Sequence, residues 1–288
     1  MCGLMDTGMD QVRDGLTPRV SVIIPASNEA ALIGGCLSAL SDSEPVSGGV
    51  EVIVVANGCT DDTVTRARAY RTRLDMLTVM DLPQGGKTGA LNAGDAAACG
   101  AVLIYLDADV TVGPGLLAAL ARRLDSPEPA YASGRLRITA QGAVSRAYAR
   151  IWRQVPFMRA GVPGCGVFAM NRAGRQRWGA WPQIISDDTF ARLNFAPDER
   201  TLVNAAYDWP IAEGWRALVK VRRRQDAGVD EIAERYPELL QNDDKAPFPR
   251  REKLALALRD PLGFAIYSGV ALVSKLTRHR ATGWSRGR

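Results

Sequence analysis

The sequence predicts an α/β fold, a mostly parallel sheet flanked by helices, followed by a C-terminal helical extension. Three observations predict it. Short apolar, β-branched runs alternate with segments of helical period through the first 110 or so positions. Each run stops at a cluster of polar residues, as strands do when they leave a core. The 288 residues, 47% hydrophobic and 23% charged, have a globular composition and enough length for one large domain or two small ones.

The elements follow in order. Residues 20–25 (Val-Ser-Val-Ile-Ile-Pro) form a first buried strand, stopped by proline. Ser27 or Asn28 offers an N-cap to a helix through Ala30, Leu32, Ile33, Leu37 and Leu40, with Glu29 in its first turn. Residues 50–55 are a second strand that runs into Asn57 and Gly58. The next helix passes through Val64, Ala67 and Tyr70, and Thr60 or Asp61 can cap it. Residues 77–80 are a short third strand, and Gln84-Gly85-Gly86-Lys87 opens a helix through Ala90, Leu91, Ala93 and Ala97. Residues 102–106 are five apolar positions that end abruptly in Asp107-Ala108-Asp109. A buried strand does not carry bare charge, so the chain must surface there. Extension through the triplet would put both carboxylates on one side, where a divalent cation relieves their repulsion. A solvated acidic turn is the plain alternative.

Beyond the triplet, residues 116–124 read as a helix and 131–138 as a strand. Residues 144–155 are a possible helix, where Trp152 and Phe157 suit either an acceptor groove or the core. Residues 161–170 are a glycine-bounded apolar strand whose glycines, Gly164 among them, allow close approach of a ligand. Asp187 and Asp188 open a helix through Phe190 and Leu193. Residues 205–221 are mixed and lead into Arg222-Arg223-Arg224. Residues 261–274 are uncharged but too short to span a membrane, which takes about 20 residues. Flanking cations leave two readings, a helix in an anionic membrane interface or a packed C-terminal helix.

Bulk properties narrow the function. A net charge of +5 suits an anionic ligand or membrane surface and is too mild to argue for nucleic acid. Five cysteines without a CxxC pair suggest a reduced, cytoplasmic protein. Residues 1–18 read as a flexible leader without the apolar core of a signal peptide. His279 is the single histidine and sits in a basic tail, which nearly excludes a histidine-based triad or metal site.

The polar clusters at Ser27-Asn28-Glu29, Asn57-Gly58 and Asp107-Asp109, with Lys87 at a helix start, all fall at strand carboxyl ends, where such sheets bind ligands. Neither a Walker A loop nor a Gly-x-Gly-x-x-Gly is present. Singly each cluster has an ordinary reading: Asn28 and Asp61 as caps, Gly85-Gly86 as a turn, Lys87 as a solvated lysine. Together and in order, Val22-Ile23-Ile24-Pro25-Ala26-Ser27-Asn28-Glu29, Asn57-Gly58-Cys59-Thr60-Asp61-Asp62-Thr63, Gly86-Lys87-Thr88-Gly89-Ala90-Leu91-Asn92 and Leu106-Asp107-Ala108-Asp109 resemble the nucleotide-sugar half of a family 2 glycosyltransferase with the GT-A fold.

That resemblance implies an inverting enzyme that takes a nucleoside-diphosphate sugar and a divalent metal, Mn2+ or Mg2+. It implies a catalytic domain over 19–225, with 19–110 the nucleotide-sugar half and 111–225 the acceptor half, and a helical, basic extension over 226–288. Nucleotide-sugar contacts would come from Pro25, Ala26, Asn28, Glu29, Asn57, Lys87, Asp107 and Ala108, with Arg222 and Arg224 over the diphosphate. Asn57 stands where an aspartate often contacts the base. Asp109 would hold the metal. Asp188, with Asp187 beside it, would be the general base, and Gly164 and Trp181 would lie on the acceptor side. The acceptor would be a hydroxyl on a lipid-linked, saccharide or small molecule, with peripheral membrane contact at the inner face. The competing classes are a sugar-nucleotide nucleotidyltransferase, which would normally carry a glycine-rich loop after the first strand, and a non-catalytic nucleotide-binding, membrane-peripheral module.

Overall fold

A computed structural model describes residues 17–278. Most of the expected leader, and the tail from His279, lie outside the described residues. The chain opens in strict alternation: β1 (Val20–Ala26), α1 (Ile33–Ser41), β2 (Val50–Asn57), α2 (Thr63–Arg68), β3 (Leu77–Leu82), α3 (Lys87–Ala97) and β4 (Val102–Leu106). Then come β5 (Thr111–Val112), α4 (Leu116–Arg123), β6 (Tyr131–Thr139), α5 (Ala143–Trp152), α6 (Pro156–Ala160), β7 (Val167–Asn171) and α7 (Arg172–Arg175). The remainder is α8 (Asp187–Leu193), β8 (Arg200–Pro210), α9 (Trp215–Arg235), α10 (Arg250–Arg259) and α11 (Pro261–Leu276).

Among the described residues, eight strands form one sheet in the order β3-β2-β1-β4-β7-β6-β8-β5. The first four are parallel, and β7 runs antiparallel to both β4 and β6. Parallel strands covered on both faces must be apolar throughout, and all five residues of β4 are buried. The exception in β1, Ser21, is satisfied: its hydroxyl accepts the Gly100 N–H and donates to Glu51. Pro25 does not end β1 as expected. The β4 pairing ends at Ile23 opposite Tyr105, so at Pro25 the strand pairs only with β2 and the missing N–H is tolerated.

The chain divides into two compact units. One comprises the residues up to Arg135 with Gly166–Pro182 and Val203–Tyr207. The other comprises Leu136–Cys165, Gln183–Leu202 and the residues from Asp208 on. In the second unit α5, α9 and α11 share a core of Tyr148, Ala149, Leu218, Val219 and Val270. The expected divide at 225 falls inside α9, one unbroken helix of 21 residues, so the C-terminal helices belong to the same unit as α5. The strand expected over 161–170 is confined to β7, which starts at Val167, after Gly164 (φ +71°) and Gly166 (φ +75°) take left-handed conformations outside the extended region.

Candidate active site

In the first unit, the loops at the carboxyl ends of β1, β2 and β4 are tied to one another. Asn28 has a left-handed backbone (φ 53°), and its Oδ1 accepts the Thr60 N–H at 2.6 Å and the Thr60 hydroxyl at 3.1 Å. It therefore laces the β1 loop to the β2 loop. It does not cap α1, which begins later at Ile33 and has no side-chain cap. The Glu29 N–H donates to the Thr63 hydroxyl at 2.7 Å, and the Ala30 N–H to the Asp61 carboxylate at 3.2 Å. Asp61 also accepts the Thr63 N–H at 3.0 Å, so it serves the start of α2.

Asn57 is 2% exposed, and its amide is fully engaged. Nδ2 donates to Ala26 O at 3.0 Å and Val55 O at 3.3 Å, and Oδ1 accepts the Gly86 N–H at 2.9 Å. Asn57, expected among the nucleotide contacts, is a buried bracket between two strand ends and the loop before α3. Gly58 (φ 56°) completes the bracket. A Cβ there would stand 2.8 Å from Gly85 Cα, so the backbone approaches Gly85 this closely only because position 58 is glycine. Ala26 is buried, and its carbonyl accepts from Asn57 and from the Cys59 thiol. Pro25 stays half-buried in β1.

That bracket sets the start of α3, where Lys87 Nζ lies 2.9 Å from Asp107 Oδ1. The strand does not stay extended through the triplet. The chain turns after Leu106, and the Val110 N–H reaches back to Asp107 O at 3.1 Å, while the Asp107 N–H is held by Gly166 O at 2.8 Å. Strand alternation is therefore not what aims Asp107 and Asp109. Both nonetheless act on one buried neighbour: burial pushes the Cys36 thiol far up, and the charges of Asp109 and Asp107 push it further. Ala108 is buried between them.

The donors fit a hard divalent cation. Two carboxylates are present, one already engaged by Lys87, and among the described residues no group of three His, Cys, Asp or Glu is assembled to hold a metal. Carboxylate oxygens are hard donors of the kind a divalent cation takes.

Trp181, expected on the acceptor side, is a buried anchor. It is 2% exposed, its indole N–H donates to Asp95 at 2.8 Å, and its ring meets Tyr105 edge-on. These contacts anchor its chain segment to α3. Asn92 pairs with both its backbone N–H (2.7 Å) and its carbonyl (3.3 Å), and Arg175 joins Asp95 at 2.7 Å. Asn92, Asp95 and Arg175 were not singled out in the sequence as a unit, because the partners are some 80 residues apart. The network raises the Tyr105 phenol well above its ordinary value, first by burial and then by the charge of Asp95.

In the second unit, Asp187 is buried and Asp188 half-buried at the start of α8, as expected. Asp188 Oδ1 accepts the Thr189 N–H at 2.7 Å. The segment before them is clamped by α9. Glu231 accepts the Ile185 N–H at 2.8 Å, Arg235 donates to Gln183 O at 2.6 Å, and a Cβ on Gly228 would come within 2.2 Å of Ser186 Oγ. One turn past Asp188, Arg192 is 1% exposed and binds Asp243 and Asp244 at 2.7 and 2.8 Å. Lys245 and Arg192 both sit over the Phe157 ring, at 5.2 and 4.9 Å. Burial and Arg192 hold the Lys245 ammonium below the ordinary lysine value, against the charges of Asp243, Asp188 and Cys165. Lys245 thus stands in the electrostatic neighbourhood of Asp188. Nothing in its own sequence context marked it.

Arg222 is paired within its own helix. Its Nε donates to Asp226 at 2.8 Å, one helical turn on, and Asp226 with the phenols of Tyr148 and Tyr267 raises its pKa against the cost of burial. Arg224, expected with Arg222 over the diphosphate, lies in the same unbroken helix. Gly164, buried with its positive φ, is placed in the irregular stretch before β7.

The profile of glycosyl transferase family 2 matches residues 21–195, more than half of the chain. The chain belongs to glycosyl transferase family 2. Glycosyltransferase AglE of Haloferax volcanii is 41% identical over 93 residues, 32% of this chain and 31% of that protein. An N-acetylglucosaminyltransferase of Rhizobium meliloti is 28% identical over 128 residues, 43% of this chain and 30% of that one. These alignments thus span less than a third of those relatives' length. Among solved structures, the mannosyltransferase PcManGT from Pyrobaculum calidifontis, in complex with GDP-Man and Mn2+, superposes with TM-score 0.59 at 22% identity, over 90% of this chain and 76% of that one. Glucosyl-3-phosphoglycerate synthase from Mycobacterium tuberculosis, with Mn2+, UDP and glucosyl-3-phosphoglycerate, gives 0.51 at 23% identity, over 76% and 80%. These likenesses establish the GT-A fold of this family 2 chain.

Proposed function

We propose that this family 2 protein transfers a sugar from a nucleoside-diphosphate sugar to an acceptor hydroxyl with inversion at the anomeric carbon. The observation that carries the proposal is the Lys87–Asp107 ion pair, set at the carboxyl edge of the parallel strands by the Asn57 bracket. A cation and two carboxylates held at that edge fit a diphosphate and its counter-ion. The nucleotide sugars and Mn2+ bound by PcManGT and the mycobacterial synthase support the same donor class.

Asp109 would hold a divalent cation, Mn2+ or Mg2+, which when bound neutralises charge on the diphosphate. Lys87 adds a point charge for the phosphates, and Asp107, held by Lys87, faces the nucleotide. Glu29 and the backbone around Pro25 and Ala26 border the nucleoside. Asp188 takes the proton of the acceptor hydroxyl as it attacks, and Asp187 supports it from its buried position. The acceptor carries a hydroxyl on a lipid-linked, saccharide or small molecule. A reducing cytoplasmic setting suits Cys36, Cys59, Cys99 and Cys165, which form no disulfide among the described residues.

Asp188→Asn tests the base. Transfer should fall by a factor of about 10² to 10⁴, while calorimetric binding of a nucleoside diphosphate with Mn2+ is unchanged. Retained turnover would remove Asp188 from the role. Nucleotide binding that is absent, or indifferent to Mn2+, would remove the donor assignment.

A further inference from the structure

The second unit carries an apolar face that its own packing leaves uncovered. Five of its leucines are strongly exposed: Leu254 (64%) and Leu258 (77%) on α10, and Leu262 (66%), Leu272 (57%) and Leu276 (67%) on α11. Their spacing is helical. Leu254 and Leu258 are one turn apart, and Leu262, Leu272 and Leu276 fall within an arc of about 80° at about 100° per residue. The buried residues of α11 (Gly263, Val270 and Ser274) lie on the other side, where α11 meets α5 and α9. The stripe is therefore not the packed face of α11 but a second face.

The exposed charges of α10 and α11 are all basic. Arg250, Arg251, Lys253 and Arg259 are exposed on α10, and Lys275 is exposed at the end of α11. The only two acids of these helices, with the α11 cap, are engaged elsewhere: Glu252 with Arg159 at 3.8 Å, and Asp260 with Arg150 at 2.7 Å. Among the described residues no helix is long and apolar enough to cross a membrane. An apolar stripe flanked by cations, on helices too short to span, matches a surface that lies in the headgroup region of an anionic bilayer.

We infer that the α10–α11 face docks the protein on anionic lipid membranes, with Leu254, Leu258, Leu262, Leu272 and Leu276 entering the interface and the flanking arginines and lysines meeting lipid phosphates. This assignment does not rest on the donor reading, which nucleotide calorimetry in vesicle-free solution tests separately.

The full chain is sedimented with phosphatidylcholine vesicles, with and without phosphatidylglycerol. It should bind only the anionic vesicles, and less at high salt. Leu258→Glu with Leu262→Glu should lower partitioning by at least about tenfold for each leucine removed from the interface. Arg251→Ser with Arg259→Ser should lower it about fivefold per charge. Both pairs are exposed, so melting temperature and nucleotide binding should stay at wild-type values. No binding to anionic vesicles, or binding that neither pair weakens, overturns the assignment. A self-association that the leucine substitutions abolish, without vesicle binding, assigns the face to a second copy of the chain and overturns it equally.

Discussion

Replacing Asn57 by alanine separates a nucleotide contact from a structural bracket. The side chain is 2% exposed and makes three hydrogen bonds, to Ala26 O, Val55 O and the Gly86 N–H, at 3.0, 3.3 and 2.9 Å. At a net value of about 1 kcal/mol each, their loss destabilises the fold by about 3 kcal/mol, and more if the stranded carbonyls stay dry. For a chain of this size that lowers the melting temperature by about 6 to 12 °C. Asn57→Asp should be worse, because a buried carboxylate would then face two carbonyl oxygens in place of the two N–H donors. The assay is thermal unfolding followed by circular dichroism, paired with calorimetric titration of UDP and GDP. The bracket predicts a large thermal loss and similar proportional effects on both nucleotides. A melting temperature within about 1 °C of wild type, with a selective loss of one base worth about tenfold, would refute the reasoning.

Three further outcomes follow from the same contacts. Gly228→Ala forces a methyl to within 2.2 Å of Ser186 Oγ, so it should cost about 1 to 3 kcal/mol and lower turnover by shifting the start of α8, measured by unfolding and by product formation. Lys87→Met removes the cation 2.9 Å from Asp107 and should weaken donor binding about 10- to 100-fold, read from the donor KM, with little change in melting temperature. Burial alone would raise the Asp243 carboxyl, but the Arg192 hydrogen bond and the Lys245 charge bring it below its ordinary 3.8. Its stabilising contribution is therefore present at neutral pH and lost as the pH falls through that lowered value. Asp243→Asn should flatten the decline of melting temperature below about pH 4.

Much of the fold was legible because it is written locally. The buried run at 102–106 became β4 with the same bounds, and the apolar runs at 20–25 and 50–55 became β1 and β2. Asp187 and Asp188 opened a helix as read. The roles of single side chains were less legible. Asn57 and Trp181 carry polar groups that suit a ligand, and only their partners, Gly86 and Asp95, show those groups already engaged. Arg222-Arg223-Arg224 has the composition of a basic strap, yet the chain from 215 to 235 stays helical, and an i,i+4 pair with Asp226 holds Arg222 to the helix.

The sequence by itself determined the alternation of strands and helices as far as β4, the polar loops at the ends of β1, β2 and β4, and the choice of carboxylates over histidines as candidate ligands. Those follow from short-range pattern and composition. Only the tertiary structure decided that the Asp107-Ala108-Asp109 segment turns rather than extends, and that Lys87 meets Asp107. It also decided that Glu231 and Arg235 clamp the approach to Asp188, and that the leucines of α10 and α11 face outward. Each of these depends on a partner 20 or more residues away or on which helix face the core covers, and hydrophobic periodicity encodes neither.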